Sequence, residues 1–192
     1  PSRGLGDVYK RQKCTRRLVP WIEACGGVPT ISCTGHSLVK AKLRETGAPF
    51  AGEMSGHLFF NDGRWPGFDD GVYAGARILE ILSREADPSA ALEALPSAVN
   101  TPELQIRMAE GENKAFIARL QKEARFDDAL DVITIDGVRV EWNDGFALAR
   151  SSNTTPVVVL RLEGDTPEAL ERIKKTFAEV LLKVEPSLEL PF

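Results

Sequence analysis

GFALARSSNTTPVVVLRLEG, residues 145–164, contains two apolar segments joined by six consecutive polar residues. Both segments, 145–150 and 156–164, are short and rich in residue types that favour strands. Pro156 prevents the polar residues from pairing onward, because proline has no backbone N–H to donate. The stretch therefore predicts two strands connected by a loop, RSSNTT (150–155).

The segments around these strands predict an α+β domain with an antiparallel sheet. ELQIRMAE (103–110) and DVITIDGVRVEW (131–142) alternate apolar and polar residues, and Asp136-Gly137 marks a tight turn within the second. Amphipathic helices are predicted at 112–126 and 166–184. The resulting order is β-α-β-β-β-β-α.

The first half alternates between helical and strand patterns, which predicts an α/β domain. Helices are predicted at 15–27, 36–47 and 68–87, and strands at 28–35 and 57–60. In the third helix, Asp69 and Asp70 suit the N-terminus, and Val72, Ala76, Leu79 and Leu82 fall on one face. A connector rich in Pro, Ser, Asn and Thr places a domain boundary near Pro96–Pro102.

Composition narrows the class of protein. The chain has 192 residues, 43% of them hydrophobic and 27% charged, as in ordinary globular proteins. Its net charge of -4 argues against a general nucleic-acid binder. No apolar run is long enough to span a membrane. The three cysteines, without a C-x-x-C pair, predict reduced thiols and a cytoplasmic location, and only two histidines make a zinc site unlikely to form.

The opening residues, PSRGLGDVYKRQ (1–12), show neither a helical nor a strand period. We interpret them as a vector or assembly remnant, or as a truncated start, and expect them to lie outside the fold. A mobile native tail is the alternative. No signal peptide is expected, since the segment lacks an apolar core.

The RSSNTT loop offers several hydrogen-bond donors beside one fixed positive charge. Arg150 has a planar fork of N–H groups, Ser152 and Thr154 have hydroxyls, and Asn153 has an amide. A phosphate dianion requires convergent donors of this kind. The loop is thus a candidate phosphate site, with a plain solvated hairpin loop as the alternative.

Two further segments carry candidate residues in the first half. His36 follows a predicted strand and opens a helix, a position that commonly faces the ligand crevice of an α/β domain. Lys13, Arg16 and Arg17 form a cationic helix start, which suits an anionic partner. A helix-opening polar residue and a solvated face are the respective alternatives.

The segment GEMSGH (52–57) combines a carboxylate, a hydroxyl and an imidazole on a loop with two glycines. Glu53 and Ser55 are able to accept from and donate to vicinal sugar hydroxyls, and His57 to contact a nearby phosphate. Glycine permits close approach of the backbone to a ligand. The loop is therefore a candidate sugar site.

Together, KCTRRL, TGHS, GEMSGH, GFDDG and RSSNTTP resemble, in order and approximate spacing, the α-D-phosphohexomutase superfamily. The match is closest to its bacterial phosphomannomutase/phosphoglucomutase branch. Met54 matters here, because phosphoglucosamine mutases look like GEQSGH at this point. The resemblance runs from about Lys13 to Phe192.

The resemblance implies four domains around a cleft and transfer of phosphate between the 1- and 6-positions of glucose or mannose. It implies a phosphoserine, a Mg²⁺ site and a bisphosphorylated sugar, glucose 1,6-bisphosphate. Residues 13–96 would be most of domain three, an α/β domain with a mixed sheet. Residues 97–102 would be a hinge. Residues 103–192 would be the C-terminal α+β domain, with an antiparallel sheet and two helices as in the TATA-binding protein.

Site residues follow from the same resemblance, motif by motif. Lys13 and His36 would contact substrate near the reacting phosphate and assist proton transfer. The remaining substrate-binding residues would be Gly35, Glu53, Ser55, His57, Arg150, Ser152, Asn153 and Thr154. One loop would then hold the sugar and the other the distal phosphate, with closure of the second half over the ligand.

The chain departs from the family in lacking a serine loop and an acidic metal loop. We therefore expect a C-terminal part that lacks the opening strand of domain three, has no metal site of its own and is inactive alone. Its partners would be hexose phosphates and the missing N-terminal domains, with no nucleic acid and no membrane. The alternatives are a stand-alone phosphosugar-binding module and a phosphoglucosamine mutase fragment.

Overall fold

The computed structural model describes residues 7–32 and 36–192. The chain divides into two compact units, the first ending at Ser97 and the second beginning at Ala98. Each unit has its own sheet. The predicted division into an α/β part and an α+β part is confirmed.

The first unit has a mixed four-stranded sheet in the order β2-β1-β3-β4. Strand β1 is parallel to both β2 and β3, and β4 returns antiparallel to β3. The strands are β1 (Asp7–Arg11), β2 (Val28–Ser32), β3 (Phe50–Gly52) and β4 (Leu58–Phe60). The helices are α1 (Leu18–Ala24), α2 (His36–Thr46), α3 (Gly71–Leu82) and α4 (Pro88–Glu93).

The expectation that residues 1–12 lie outside the fold is wrong for Asp7–Arg11, which form the central strand β1. The same finding corrects the expected loss of the domain's opening strand. The segment DVYKR has too few apolar residues to show a buried-strand pattern. It forms a strand because β2 and β3 offer backbone partners on both sides, a tertiary effect that overrides the local pattern.

The side chains that the structure describes in the first unit include one buried apolar cluster. This cluster consists of Val39, Leu43, Ala48, Ala51 and Phe59. Helix α2 supplies Val39 and Leu43, the β3–β4 hairpin supplies Ala51 and Phe59, and Ala48 lies in the connection between helix and hairpin, so the cluster packs α2 against the hairpin.

Helix α3 contributes little to that cluster. Its predicted apolar face is exposed, with Val72 86% and Leu79 66% accessible. Contact with the rest of the unit is made instead by Tyr73, whose ring stacks on Trp65 at 4.3 Å and meets Phe60 edge-on at 5.5 Å. The helix begins as predicted, since Asp70 caps it by accepting from the Tyr73 N–H at 2.8 Å.

The second unit has an antiparallel sheet in the order β5-β10-β9-β8-β7, with β6 also paired to β10. Its strands are β5 (Val99–Asn100), β6 (Leu104–Arg107), β7 (Asp131–Ile133), β8 (Val138–Trp142), β9 (Gly145–Ser151) and β10 (Val157–Gly164). Its helices are α5 (Glu112–Glu123) and α6 (Pro167–Val184).

Both helices of this unit pack on the sheet over a continuous apolar core that includes Leu120, Leu160 and Phe177, all fully buried. Helix α6 begins as its sequence predicts: the Thr166 hydroxyl accepts from the Ala169 N–H at 3.2 Å. In the described residues no helix is both long and apolar enough to cross a membrane.

The predicted 97–102 hinge needs correction. Val99 and Asn100 form β5, which pairs with Gly164 and Glu163 of β10, and the Thr101 N–H donates to the Leu162 carbonyl at 2.9 Å. These residues therefore belong to the sheet of the second unit, which begins before residue 103.

An ion-pair network ties the 61–67 loop to helix α3. Arg64 donates to both Glu80 carboxylate oxygens, at 3.1 and 3.0 Å, and Arg84 donates to one of them at 2.8 Å. Arg77 pairs with Asp62 and places its guanidinium 4.8 Å from the Phe60 ring centroid. The network holds α3 in place through charge, where apolar burial is slight.

The network also lowers the pKa of two carboxyl groups. The hydrogen bond from Arg64 is the main cause of a Glu80 pKa below its usual range. Partial burial alone would raise the pKa of Asp62, but the Arg77 hydrogen bond and nearby guanidinium charges outweigh it and the net shift is downward.

A depressed folded-state pKa predicts that acid weakens the first unit. The stabilisation is complete above the unfolded-state pKa of a glutamate, about 4.3, and is lost as pH falls through the lower folded-state value. Replacing Glu80→Gln should therefore flatten the dependence of thermal unfolding on pH below about pH 5. Thermal unfolding followed by circular dichroism at a series of pH values measures this dependence.

The control Glu85→Gln, which has none of these contacts, should keep the wild-type dependence of melting temperature on pH. The same dependence in E80Q and wild type would contradict the prediction.

Candidate functional site

Three of the predicted segments follow strands whose carboxyl ends lie at one edge of the first sheet. Because β1, β2 and β3 are parallel, their carboxyl ends, Arg11, Ser32 and Gly52, lie on the same side. Lys13 follows β1, the TGHS segment follows β2, and GEMSGH follows β3. Ligands of α/β domains bind outside the carboxyl ends of such strands. Topology thus brings these segments together although they are up to forty residues apart in the chain.

Lys13 is held on a folded segment. Its neighbours Gln12 and Cys14 are buried, whereas Lys13 is half-buried, so the chain direction is fixed on both sides of it. The Arg17 N–H donates to the Thr15 hydroxyl at 3.3 Å just before α1 begins. Cys14 and Cys25 form no disulfide in the described part of the chain.

Two of the predicted substrate-binding residues, Gly35 and His36, lie where the connection from β2 reaches α2 in the sequence. His36 is the first residue of α2, at the same edge of the sheet, as the sequence predicts. Gly35 and the His36 side chain lie outside what the structure describes. Their roles stay predictions.

The GEMSGH loop is the tight turn of the β3–β4 hairpin. The Glu53 N–H donates to the His57 carbonyl at 2.9 Å, and the Gly56 N–H donates to the Glu53 carbonyl at 3.0 Å. Gly56 has a φ of +86°, a conformation that favours glycine. The turn is therefore closed by backbone bonds, and its side chains project from a fixed frame.

Glu53 is the buried acidic residue of this turn. Its side chain is only 6% exposed, and the Ser55 hydroxyl donates to its Oε2 at 3.0 Å. Ser55 itself is exposed. A carboxylate in this environment accepts strong hydrogen bonds, because little water competes for it. The structure thus places the predicted Glu53–Ser55 pair in direct contact.

His57 is oriented by a residue that the sequence reading assigned elsewhere. Its Nδ1 lies 2.7 Å from Asp69 Oδ2, and half of the imidazole side chain remains exposed. Asp69 is brought there by a β-bridge to Phe59. Of the acidic pair predicted at the start of α3, only Asp70 caps the helix. With a carboxylate at Nδ1, that nitrogen carries a proton, which fixes the tautomer and the direction of the ring.

In the second unit, the RSSNTT loop joins β9 to β10 as predicted, and Ser152 organises it. Its hydroxyl accepts from the Thr154 and Thr155 N–H groups, each at 3.3 Å, and from the Thr155 hydroxyl at 2.9 Å. Asn153 and Thr154 are exposed at the tip. The loop is an ordered turn with hydroxyl and amide groups at its surface, as Ser/Thr turns are.

Asn113, on the first turn of α5, fastens the same loop. It is buried, and its Nδ2 lies 3.2 Å from the Ser152 carbonyl and 3.3 Å from the Thr155 and Val157 carbonyls. A single amide thus contacts three carbonyls of the loop, two of which, those of Thr155 and Val157, also accept from backbone N–H groups within it. The loop conformation depends on a residue nearly forty positions away.

Arg150 is the buried cation of the site. It is 4% exposed, its Nε lies 3.3 Å from Asp136 Oδ2, and its Nη2 is buried with no hydrogen-bond partner among the described residues. Asp136 belongs to the β7–β8 turn, which lies beside the end of β9. The Nε–Oδ2 contact has the distance of an ion pair but not the alignment of a hydrogen bond.

Sequence reasoning found the loops but missed Asp69, Asn113 and Asp136 as site residues. Asp136 was recognised only as part of a turn, and Asp69 as a helix start. Asn113 gives no local signal, since an asparagine in the first turn of a helix is ordinary. Each residue acts through a contact distant in sequence, so no spacing rule would identify it.

A cavity of about 700 Å³ elsewhere in the second unit is lined by β6, α5 and the segment 185–189. Arg119 and Glu185, paired at 2.6 Å, form part of its wall. None of the residues predicted from sequence lines it. The loops therefore remain the candidate site.

Comparison with known proteins agrees with this arrangement. Residues 2–99 match the family model described as phosphoglucomutase/phosphomannomutase, alpha/beta/alpha domain III, and residues 103–180 match that of the phosphoglucomutase/phosphomannomutase C-terminal domain. A phosphomannomutase/phosphoglucomutase from Pseudomonas aeruginosa is 50% identical over 193 residues, which cover 100% of this chain and 41% of that protein.

Two further relatives are similar. A phosphoglucomutase from Neisseria gonorrhoeae is 54% identical over 88% of this chain and 37% of its own length. The crystal structure of a phosphoglucomutase/phosphomannomutase family protein from Burkholderia thailandensis has 59% identity and a TM-score of 0.91, covering 98% of this chain and 40% of that one. The chain spans about two fifths of the length of these relatives. It belongs to the phosphoglucomutase/phosphomannomutase family, and its residues match the third and C-terminal domains.

Proposed function

We propose that this chain is the substrate-binding part of a phosphomannomutase/phosphoglucomutase, an enzyme that interconverts hexose 6-phosphate and hexose 1-phosphate. Family membership supports the reaction class. The observation that carries the binding role is the buried Arg150 guanidinium at the base of a loop rich in hydroxyl groups. The hexose phosphate passes through a bisphosphorylated sugar during the reaction.

The second unit would bind the phosphate that is not reacting. Arg150 supplies a positive charge shielded from water, where its attraction for an anion is stronger than at an exposed site. Ser152, Asn153 and Thr154 supply hydroxyl, amide and backbone donors on a turn that Asn113 already holds in shape. Little conformational entropy is then lost when the anion binds.

The first unit would bind the sugar. Glu53 accepts hydrogen bonds from vicinal hydroxyls, and Ser55 donates to or accepts from the same groups. His57, held by Asp69 through Nδ1, presents the opposite edge of its ring to the phosphosugar. Bidentate contacts of this kind distinguish the orientation of a sugar hydroxyl. If a hydroxyl points the wrong way, the buried carboxylate loses a hydrogen bond, which costs binding free energy.

Lys13 and His36, with Gly35 between β2 and α2, would contact substrate near the reacting phosphate. An ammonium group stabilises the charge of a transferring phosphoryl group, and an imidazole exchanges protons near neutral pH. Their shared sheet edge supports this assignment. The predicted cytoplasmic location stays a prediction.

The family also implies Mg²⁺ and glucose 1,6-bisphosphate. Among the described residues no group of three or more His, Cys, Asp or Glu side chains is placed to hold a metal ion. The residues that the structure describes therefore do not fit the ion. Glucose 1,6-bisphosphate would bind the chain as the activator and intermediate.

Replacing Arg150→Ala should abolish most of the affinity for glucose 1,6-bisphosphate, at a cost of about 2–4 kcal/mol, because it removes a charged donor from a desolvated site. Arg150→Lys should recover only part of that affinity, since a lysine lacks the planar fork. Isothermal titration of the purified chain measures both. Arg172→Ala, an exposed arginine paired with Asp144 at the far end of β9, is the matched control and should bind as wild type. Wild-type affinity in R150A would refute the phosphate role.

Glu53→Gln should weaken binding of glucose 1-phosphate by about tenfold while leaving inorganic phosphate unaffected, because the carboxylate contacts only the sugar. Phosphorus NMR titrations with each ligand separate the two effects. Glu85→Gln, an exposed carboxylate in the same unit, serves as control. Parallel losses for both ligands would mean that Glu53 does not discriminate the sugar.

The purified chain should bind hexose phosphates without converting them, because the residues that would carry the transferred phosphate are expected outside it. A coupled assay for glucose 6-phosphate, supplied with glucose 1-phosphate, glucose 1,6-bisphosphate and Mg²⁺, measures turnover. Conversion above the uncatalysed background, abolished by R150A, would show that the chain is catalytically complete and would overturn this part of the proposal.

A further inference from the structure

We propose that Asp136 is a positioning residue for anion binding: it holds the Arg150 guanidinium in its slot and so prepares the site for phosphate. This inference rests on the proposed function of Arg150 and extends it to the β7–β8 turn. The geometry of three contacts carries it.

The first contact places the backbone of the turn against Arg150. Val138 pairs with Ala149, so the turn that precedes β8 lies beside the end of β9. Gly137 has a φ of +106°, and a Cβ added there would lie 2.3 Å from the Ala149 carbonyl oxygen and 2.8 Å from Arg150 Cβ. Only glycine fits so close to the base of the arginine side chain. The turn therefore restricts the conformation of the Arg150 side chain near its Cβ.

The second contact compensates the arginine charge. Asp136 Oδ2 lies 3.3 Å from Arg150 Nε, and both side chains are largely buried. A buried guanidinium without a nearby carboxylate is costly. The carboxylate approaches the Nε edge as an ion pair without a hydrogen bond, and Nη2 likewise has no hydrogen-bond partner among the described residues. The ion pair thus attracts one edge of the guanidinium and leaves the other edge uncommitted.

The third contact fixes the turn itself. Gln121, on α5, donates through Nε2 to the Thr134 carbonyl at 3.0 Å and to the Gly137 carbonyl at 2.9 Å. The same helix supplies Asn113 to the RSSNTT loop. One helix therefore sets both the turn that bears Asp136 and the loop that bears the hydroxyl donors, so the arginine and the loop share a common frame.

Asp136 also carries a negative charge that repels an incoming phosphate. This repulsion weakens anion binding, whereas positioning of the Arg150 guanidinium strengthens it. The Asp136 carboxylate is partly solvated, which screens the repulsion. Without the carboxylate, the guanidinium end of the arginine side chain would gain rotamer freedom and would lose it again on binding. We therefore expect removal of the Asp136 charge to weaken binding.

The test uses Asp136→Asn in the full chain, with glucose 1,6-bisphosphate as the probe. Affinity should fall about tenfold, and Asp136→Glu should restore it to within about threefold of wild type by re-forming the ion pair. Asp131→Asn, an exposed carboxylate on the same hairpin, should have no effect. Melting temperatures establish that each variant is folded.

A spectroscopic readout separates positioning from general stability. The Nε–Hε signal of Arg150, identified by its absence in R150K, should be resolved and slow to exchange in wild type and D136E. In D136N it should broaden and move toward the signals of solvated arginines. If D136N does not fold, Gln121→Met replaces it: loss of the two turn contacts should weaken binding about threefold and broaden the same signal.

Two results would overturn the inference. The first is an affinity of D136N, or of Q121M, within about twofold of wild type together with an unchanged Nε–Hε signal. The second is tighter binding by D136N than by wild type. The second would mean that the carboxylate competes with the anion. Failure of the proposed function is distinguishable, because it would leave R150A and R150K with wild-type affinity.

Discussion

Burial of the Arg150 charge is the constraint on which the proposed anion site depends. A guanidinium that is 4% exposed needs a carboxylate nearby, and Asp136 supplies it from a neighbouring turn. That turn in turn needs glycine at 137, because a side chain there would collide with β9. The buried charge, its carboxylate and the close-packed glycine thus lie together at the place where β8 begins to pair with β9.

In the first unit, the topology of the sheet places the candidate site residues. Its polar residues are gathered because parallel strands end at one edge, and the β3–β4 turn projects Glu53 and Ser55 from a frame closed by backbone bonds. Helix α3 is held there by the Arg64–Glu80 and Arg77–Asp62 pairs together with the ring contacts of Tyr73. Ionic contacts of this kind are weaker than a core and depend on pH.

Local patterns in the sequence were sufficient to predict most elements and both loops. Thr166 before α6, Asp70 before α3 and the Asp136-Gly137 turn each act within a few residues, so propensity and spacing identify them. Strand β1 was missed because its pairing with β2 and β3 is a tertiary effect that DVYKR does not encode locally. The apolar face of α3 suggested burial, yet periodicity gives the face of a helix and not what covers it.

The candidate site residues likewise fall into two groups, those that local sequence patterns predict and those that only the tertiary structure reveals. Residues that would touch ligand, such as Ser152 and Glu53, lie on short polar loops whose composition is visible in the sequence. Residues that hold them, Asn113 and Asp136 among them, act across 39 and 14 positions of chain and resemble ordinary helix and turn residues. Recognition chemistry is therefore local, whereas its orientation comes from the fold. For this reason a motif indicates what a site binds, and the structure is needed to explain why its groups point the right way.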